Sequence, residues 1–267
     1  NNGGGIVRYS YCTPEFILGT PMTEARPWTD WAGISAQNRW QGVIFAREGY
    51  PRIVPIVRPK DNRVCFNSFW SVQSKGTLIS QKLKGHRGGA EMIVFISERG
   101  LEEPVEKDGV VFVDAGESYA AIRVPVGGYT WRKGDLDYTA ETGGRRSGPP
   151  GKVLQLTQEY APVILEVMTR KQAGSFKAFQ KKIMAHEPVM NGKLLSYKTI
   201  YGDTLTLDTS HKNTPSINGK PVNYTPEKVY DSPFLQSVYD SGIITISKGK
   251  RTRVLDFNQL KAVDRVD

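Results

Sequence analysis

The chain has 267 residues, 39% of them hydrophobic, which is enough for a large core, and no apolar run approaches the roughly 18 residues of a membrane span. Thirty-six Lys and Arg against 27 Asp and Glu leave a net charge of +9. That field favours polyanionic partners, nucleic acid or acidic polysaccharide, and disfavours cationic ones.

The first five residues, Asn1-Asn2-Gly3-Gly4-Gly5, have neither the basic start nor the apolar stretch of a signal peptide and read as a flexible segment ahead of one domain over 6–267. Short runs rich in β-branched and aromatic residues follow, separated by Gly, Pro, Asn and Asp. In the first half they predict strands over 6–11, 16–18, 42–46, 52–57, 64–72, 77–80, 91–97, 110–114 and 119–124. In the second half they fall at 153–157, 163–169, 194–199, 204–207, 235–238, 243–247 and 251–257. Asp108-Gly109, Asn191-Gly192 and Asn218-Gly219 supply the positive φ that tight hairpins need. The run at 91–96 is apolar throughout, as expected of a strand covered on both faces. The residues around Lys133–Lys152 form the longest irregular stretch and are expected to be a surface loop.

One helix is expected. Ser175 can cap it, Phe176, Phe179 and Ile183 fall on one face, and Lys177, Lys181 and Lys182 fall on the other. His186-Glu187-Pro188 closes it, with His186 at the helix C-terminus. The fold class that results is all-β: a large antiparallel β-sandwich of stacked sheets with one short helix packed over an end or edge.

Candidate chemistry concentrates in 37–45, QNRWQGVIF, where amide, guanidinium and indole groups run into an apolar strand. Sugars need flat apolar faces and planar polar groups, so Trp31, Gln37, Asn38, Arg39, Trp40 and Trp131 form the candidate carbohydrate-binding set. Trp28 and Trp70 can offer indole faces as well, and Trp40 and Trp70 abut strand-like runs, where a tryptophan also serves as a core anchor. Of the three histidines, His211 sits in a polar turn and is expected to face solvent. His86, in the basic loop Lys84-Gly85-His86-Arg87-Gly88-Gly89, is the weak catalytic candidate, since imidazole can exchange a proton near neutral pH. The carboxylate pairs Asp114 with Glu117 and Asp135 with Asp137 are more simply turn residues.

Other chemistries are missing. There is no phosphate-binding loop, no Gly-x-Ser-x-Gly elbow and no metal-spaced cluster, so no cofactor is expected. Cys12 and Cys65 permit one disulfide or two free thiols. No motif for DNA or RNA accompanies the basic charge, which is spread over Arg145-Arg146, Arg170-Lys171, the helix lysines and 248–253.

Several stretches carry a family resemblance. YCTPEFILGT (11–20) and SAQNRWQGVIF (35–45) resemble the β-sandwich portion of heparinase II/III-like proteins, as do GVVFVDAGESYAAIR (109–123) and GGYTW (127–131). INGKPV (217–222), YDSPFL (230–235) and SGIITI (241–246) are similar as well. The resemblance implies the C-terminal sandwich of a polysaccharide lyase-type protein, bacterial and exported to the periplasm or beyond. In that group an (α/α) toroid precedes the sandwich, and together they cleave acidic polysaccharide by β-elimination. The toroid usually supplies the tyrosine and most histidines, and one short helix is no toroid. The implied role is therefore a non-catalytic or cleft-completing module that contacts acidic glycan or a toroid domain, with no nucleic acid or membrane partner. A self-contained lyase or hydrolase, and a structural domain docking on a partner, are the alternatives.

Overall fold

The computed structural model describes residues 8–21, 41–58, 69–83, 91–132, 150–224 and 227–266. Their contacts form two compact units, one running to Val222 and one starting at Asn223, where the sequence reading expected a single domain over 6–267.

The first unit holds two large antiparallel sheets. One runs in the order β1 (Arg8–Cys12), β2 (Phe16–Pro21), β3 (Gly42–Phe45), β4 (Arg52–Arg58), β7 (Glu91–Ser97), β12 (Gly151–Leu156), β11 (Tyr129–Arg132). The other runs β5 (Phe69–Ser74), β6 (Thr77–Lys82), β13 (Val163–Thr169), β10 (Ser118–Arg123), β9 (Val110–Asp114), β8 (Val105–Lys107). Alternation along the strands decides what lies between them. Phe16, Leu18, Met92, Val94 and Leu154 from the first sheet meet Leu78, Val111, Val113, Leu165 and Val167 from the second in one core cluster. The expected sandwich is thus formed.

The second sheet is apolar on its outward side too, because helices cover it. Val110, Phe112, Tyr119, Ala121 and Met168 pack against Phe179 and Ile183 of a helix at Phe176–Met184, labelled α2. The Ser175 hydroxyl accepts from the Ala178 amide and caps it, as the sequence predicted. A one-turn helix, α1 (Arg170–Ala173), precedes it and was not foreseen. Thr169 ends β13 and caps α1 in a reciprocal box with Gln172, so strand and helix share that residue.

A third sheet runs β14 (Val189–Asn191), β15 (Leu194–Lys198), β16 (Thr204–Asp208), β17 (Ser216–Ile217), β18 (Lys220–Pro221). Its Leu195, Tyr197, Leu205 and Leu207 are buried. The Tyr197 hydroxyl donates to the fully buried Glu166 of β13, which also accepts from Thr77 Oγ1 and the Ile200 amide.

The second unit is a meander of β19 (Lys228–Asp231), β20 (Leu235–Val238), β21 (Ile243–Lys248), β22 (Arg251–Asp256) and β23 (Lys261–Val266). None of its described residues is buried.

Candidate functional site

Strand direction sorts the two ends of the sandwich. Gly19 pairs with Gly42, Arg58 with Glu91, Phe69 with Lys82 and Val163 with Ser80, so the ends of β2, β4, β6 and β12 lie together with the starts of β3, β5, β7 and β13. Trp28, Trp31, Gln37, Asn38, Arg39, Trp40 and His86 lie outside the described residues, as do Cys65, Asp135 and Asp137. The strand ends that flank the first seven, Pro21 with Gly42 and Lys82 with Glu91, all belong to this one end.

The sandwich interior turns polar here. Gln41 Oε1 accepts from Ser80 Oγ at 2.9 Å and from Thr20 Oγ1 at 3.3 Å, and Ser71 Oγ donates to the Pro21 carbonyl at 2.9 Å. All four side chains are buried. Buried hydroxyls and amides are tolerated because each finds a partner, and the network holds the strand ends in register.

Beside it, the Lys82 ammonium is buried, pairs with Glu159 at 2.7 Å and stands 4.7 Å from the centre of the Tyr160 ring. A buried ammonium needs such partners, since desolvation alone would expel it. The His211 ring lies between Tyr160 and Trp70, with centroids 6.4 and 5.8 Å away. Trp70 is a core residue, as expected, and its indole N–H donates to the Asp208 carbonyl at 3.0 Å. Across the strand pair from it, Gln81 Nε2 donates to the carbonyls of Tyr160 and Thr209.

His211 corrects the sequence expectation in part: it lies in the polar turn but is half-buried against two aromatic rings, tilted on Trp70 and edge-on to Tyr160. Its φ of 63° is held by an Asp208 carboxylate that accepts from Ser210 N, Ser210 Oγ, Asn213 N and Asn213 Nδ2. A non-glycine residue kept at positive φ by an over-determined turn marks a place where side-chain direction is imposed. Burial raises the Tyr160 pKa, and the neighbouring Glu159 raises it further, so the phenol stays protonated at neutral pH and can donate.

The other expectations fall elsewhere. Trp131 lies on β11, pairs with Leu154 inside the sheet, is 39% exposed and donates to Glu106 Oε2 of β8 at 2.9 Å. It closes the open edge between the two large sheets and stacks edge-on with Tyr129 at 6.2 Å. His186 does not cap α2 with its ring: the ring bonds the Lys198 carbonyl at 2.9 Å, and its backbone amide bonds Ile183. Asp114 is a turn residue, its carboxylate accepting from the Gly116 amide at 2.7 Å. Cys12 is a free, exposed thiol. Among the described residues no three His, Cys, Asp or Glu side chains converge on a metal-sized site.

A separate open groove of about 760 Å³ follows α2. Lys107, Ser175, Lys177, Gln180, Lys181 and Met184 line it. Lys107 reaches it because β8 alternates: Glu106 faces the other sheet and Trp131, and Lys107 faces the helix side.

Comparison of the chain with family models, with curated proteins and with solved structures finds no match.

Proposed function

We propose that the protein is a β-sandwich module that contacts acidic glycan, completing a binding cleft in a polysaccharide-active assembly rather than carrying out the reaction alone. The observation behind this reading is the convergence at one sandwich end of a buried ammonium, a tyrosine, an imposed histidine and a tryptophan. The half-buried rings of Tyr160 and His211 offer faces for sugar C–H groups, and the buried Lys82–Glu159 pair fixes the position of Tyr160. The described strands on either side of 22–40 and 84–90 finish or begin at this same end, which is why Trp31 and Arg39 belong in the test.

The test is retardation of the whole chain in native gels cast with polygalacturonate or alginate. Tyr160→Ala and His211→Ala should each weaken retardation at least about fivefold, and the pair Trp31→Ala with Arg39→Ala should do the same. Unchanged migration of correctly melting Tyr160 and His211 variants would remove this end as the site.

One observation favours a second reading, a self-contained lyase: Tyr160 and His211 are both proton-transfer groups and stand ring to ring. A rise in ultraviolet absorbance from unsaturated product during incubation with uronate polymers supports that reading, and a flat trace across the panel excludes it.

A further inference from the structure

We infer that the groove along α2 is a second, independent binding site, one for a polymer bearing tetrahedral oxyanion esters, sulfate or phosphate. Three lysines converge on it from two elements, Lys107 from the β8–β9 hairpin and Lys177 and Lys181 from the helix. None of the three makes an ion pair or side-chain hydrogen bond among the described residues, and no acidic residue lines the groove. The first turn of α2 contains no acidic residue either, so the helix dipole there adds to the positive field instead of being neutralised.

The lining also specifies the kind of anion. Planar carboxylates are best held by the rigid two-pronged fork of arginine, and the groove has no arginine. Lysine ammonium groups act as point charges with rotating donors, which suit the threefold oxygens of sulfate and phosphate esters. Single-stranded nucleic acid is normally held by aromatic stacking beside such charges, and the groove has no aromatic side chain. Ser175 and Gln180 supply neutral polar groups, and Met184 apolar surface, as a carbohydrate or polyol backbone requires. Its lining spans both ends of the helix, from Ser175 to Ala185, long enough to contact several units of a polymer.

The experiment compares the whole wild-type chain with Lys107→Ala/Lys177→Ala/Lys181→Ala and with a charge-matched control, Lys248→Ala/Lys250→Ala/Lys261→Ala. Binding to dextran sulfate, long-chain polyphosphate, polygalacturonate and a single-stranded RNA is measured across a salt series, after thermal melts show that each variant is folded. For dextran sulfate or polyphosphate the groove variant should bind at least about tenfold more weakly. Its plot of log affinity against log salt should be shallower by about two to three, a little under one counterion for each of the three lost contacts, while the control changes little. Preference between the two polymers tells whether sulfate or phosphate is the natural group. An equal loss in groove variant and control would show that net charge alone binds and overturn the site. Polygalacturonate bound as tightly as dextran sulfate, or RNA bound more tightly than either polymer, would overturn the ligand class. Tyr160→Ala serves as the arm for the sandwich-end site and should leave dextran sulfate binding intact, so either site can fail without the other. If the triple variant melts early, Lys181→Gln alone, which keeps a helix former at that position, replaces it with an expected loss of about threefold, and no loss overturns the assignment.

Discussion

Gly76 shows how tightly single positions are specified. A Cβ there would stand 2.3 Å from the Val167 carbonyl oxygen and 2.5 Å from the Tyr201 hydroxyl, while that hydroxyl donates to the same carbonyl. Gly76→Ala must push β13 and Tyr201 apart and should cost more than about 2 kcal/mol in chemical denaturation. Glu166 gives a pH-dependent counterpart. Burial raises its pKa, outweighing the hydrogen bonds from Tyr197, Ile200 and Thr77 that lower it. Folding therefore favours the protonated carboxyl: stability from this group is fully present below the ordinary value of 4.5 and is lost as pH rises through the higher folded value. Melting temperature should fall over that range in the wild type, and Glu166→Gln should flatten the fall; a parallel profile in the variant would refute the assignment. Asp208 works the other way. Burial raises its pKa, but the hydrogen bonds from Ser210 and Asn213 win and lower it, so its contribution disappears only as pH drops below the usual 3.8.

Elements differ in how openly the sequence announces them. α2 was legible because cap, apolar stripe and lysine face agree, and Ser175→Ala should lower stability by about 1 kcal/mol in a thermal melt. The hairpins at Asp108-Gly109 and Asn218-Gly219 were legible because both residues of each pair take positive φ. Asn191-Gly192 misled by one residue: Asn191 still pairs with Leu194, and Gly192 opens the loop. β8, β11, β14 and β23 were missed because they are short or solvent-facing edge strands whose residues carry little apolar alternation. α1 was missed because a single turn has no periodicity to read. The site was legible only in part. Trp70 and His211 meet because β5 and the end of β16, in different sheets and far apart in sequence, pack together, and no local pattern in Asp208–Asn213 says that an aromatic ring awaits the imidazole. Lys82 looked like any strand-end lysine until Glu159 and Tyr160 were brought to it from β12–β13.

At the scale of the molecule the two units stand on different physical footings. The unit up to Val222 owns the apolar clusters between and outside its sheets. The unit from Asn223 is one sheet thick, with Tyr230, Phe234, Ile246, Phe257 and Leu260 exposed. A single sheet without a covered face lacks the burial needed to fold alone. Residues 223–267 made as a separate peptide should therefore show no cooperative melt, while a chain ending at Val222 should keep the midpoint of the larger unit; a sharp transition in the isolated peptide would contradict this. The larger unit has a further property, which follows from its strand directions. Because β2, β4, β6 and β12 all finish at the same end, changes beyond those strand ends leave the strand pairing itself untouched. Such a scaffold can drift from one ligand to another by altering its connections alone, and descendants of one ancestor would share their packing while differing in what they hold.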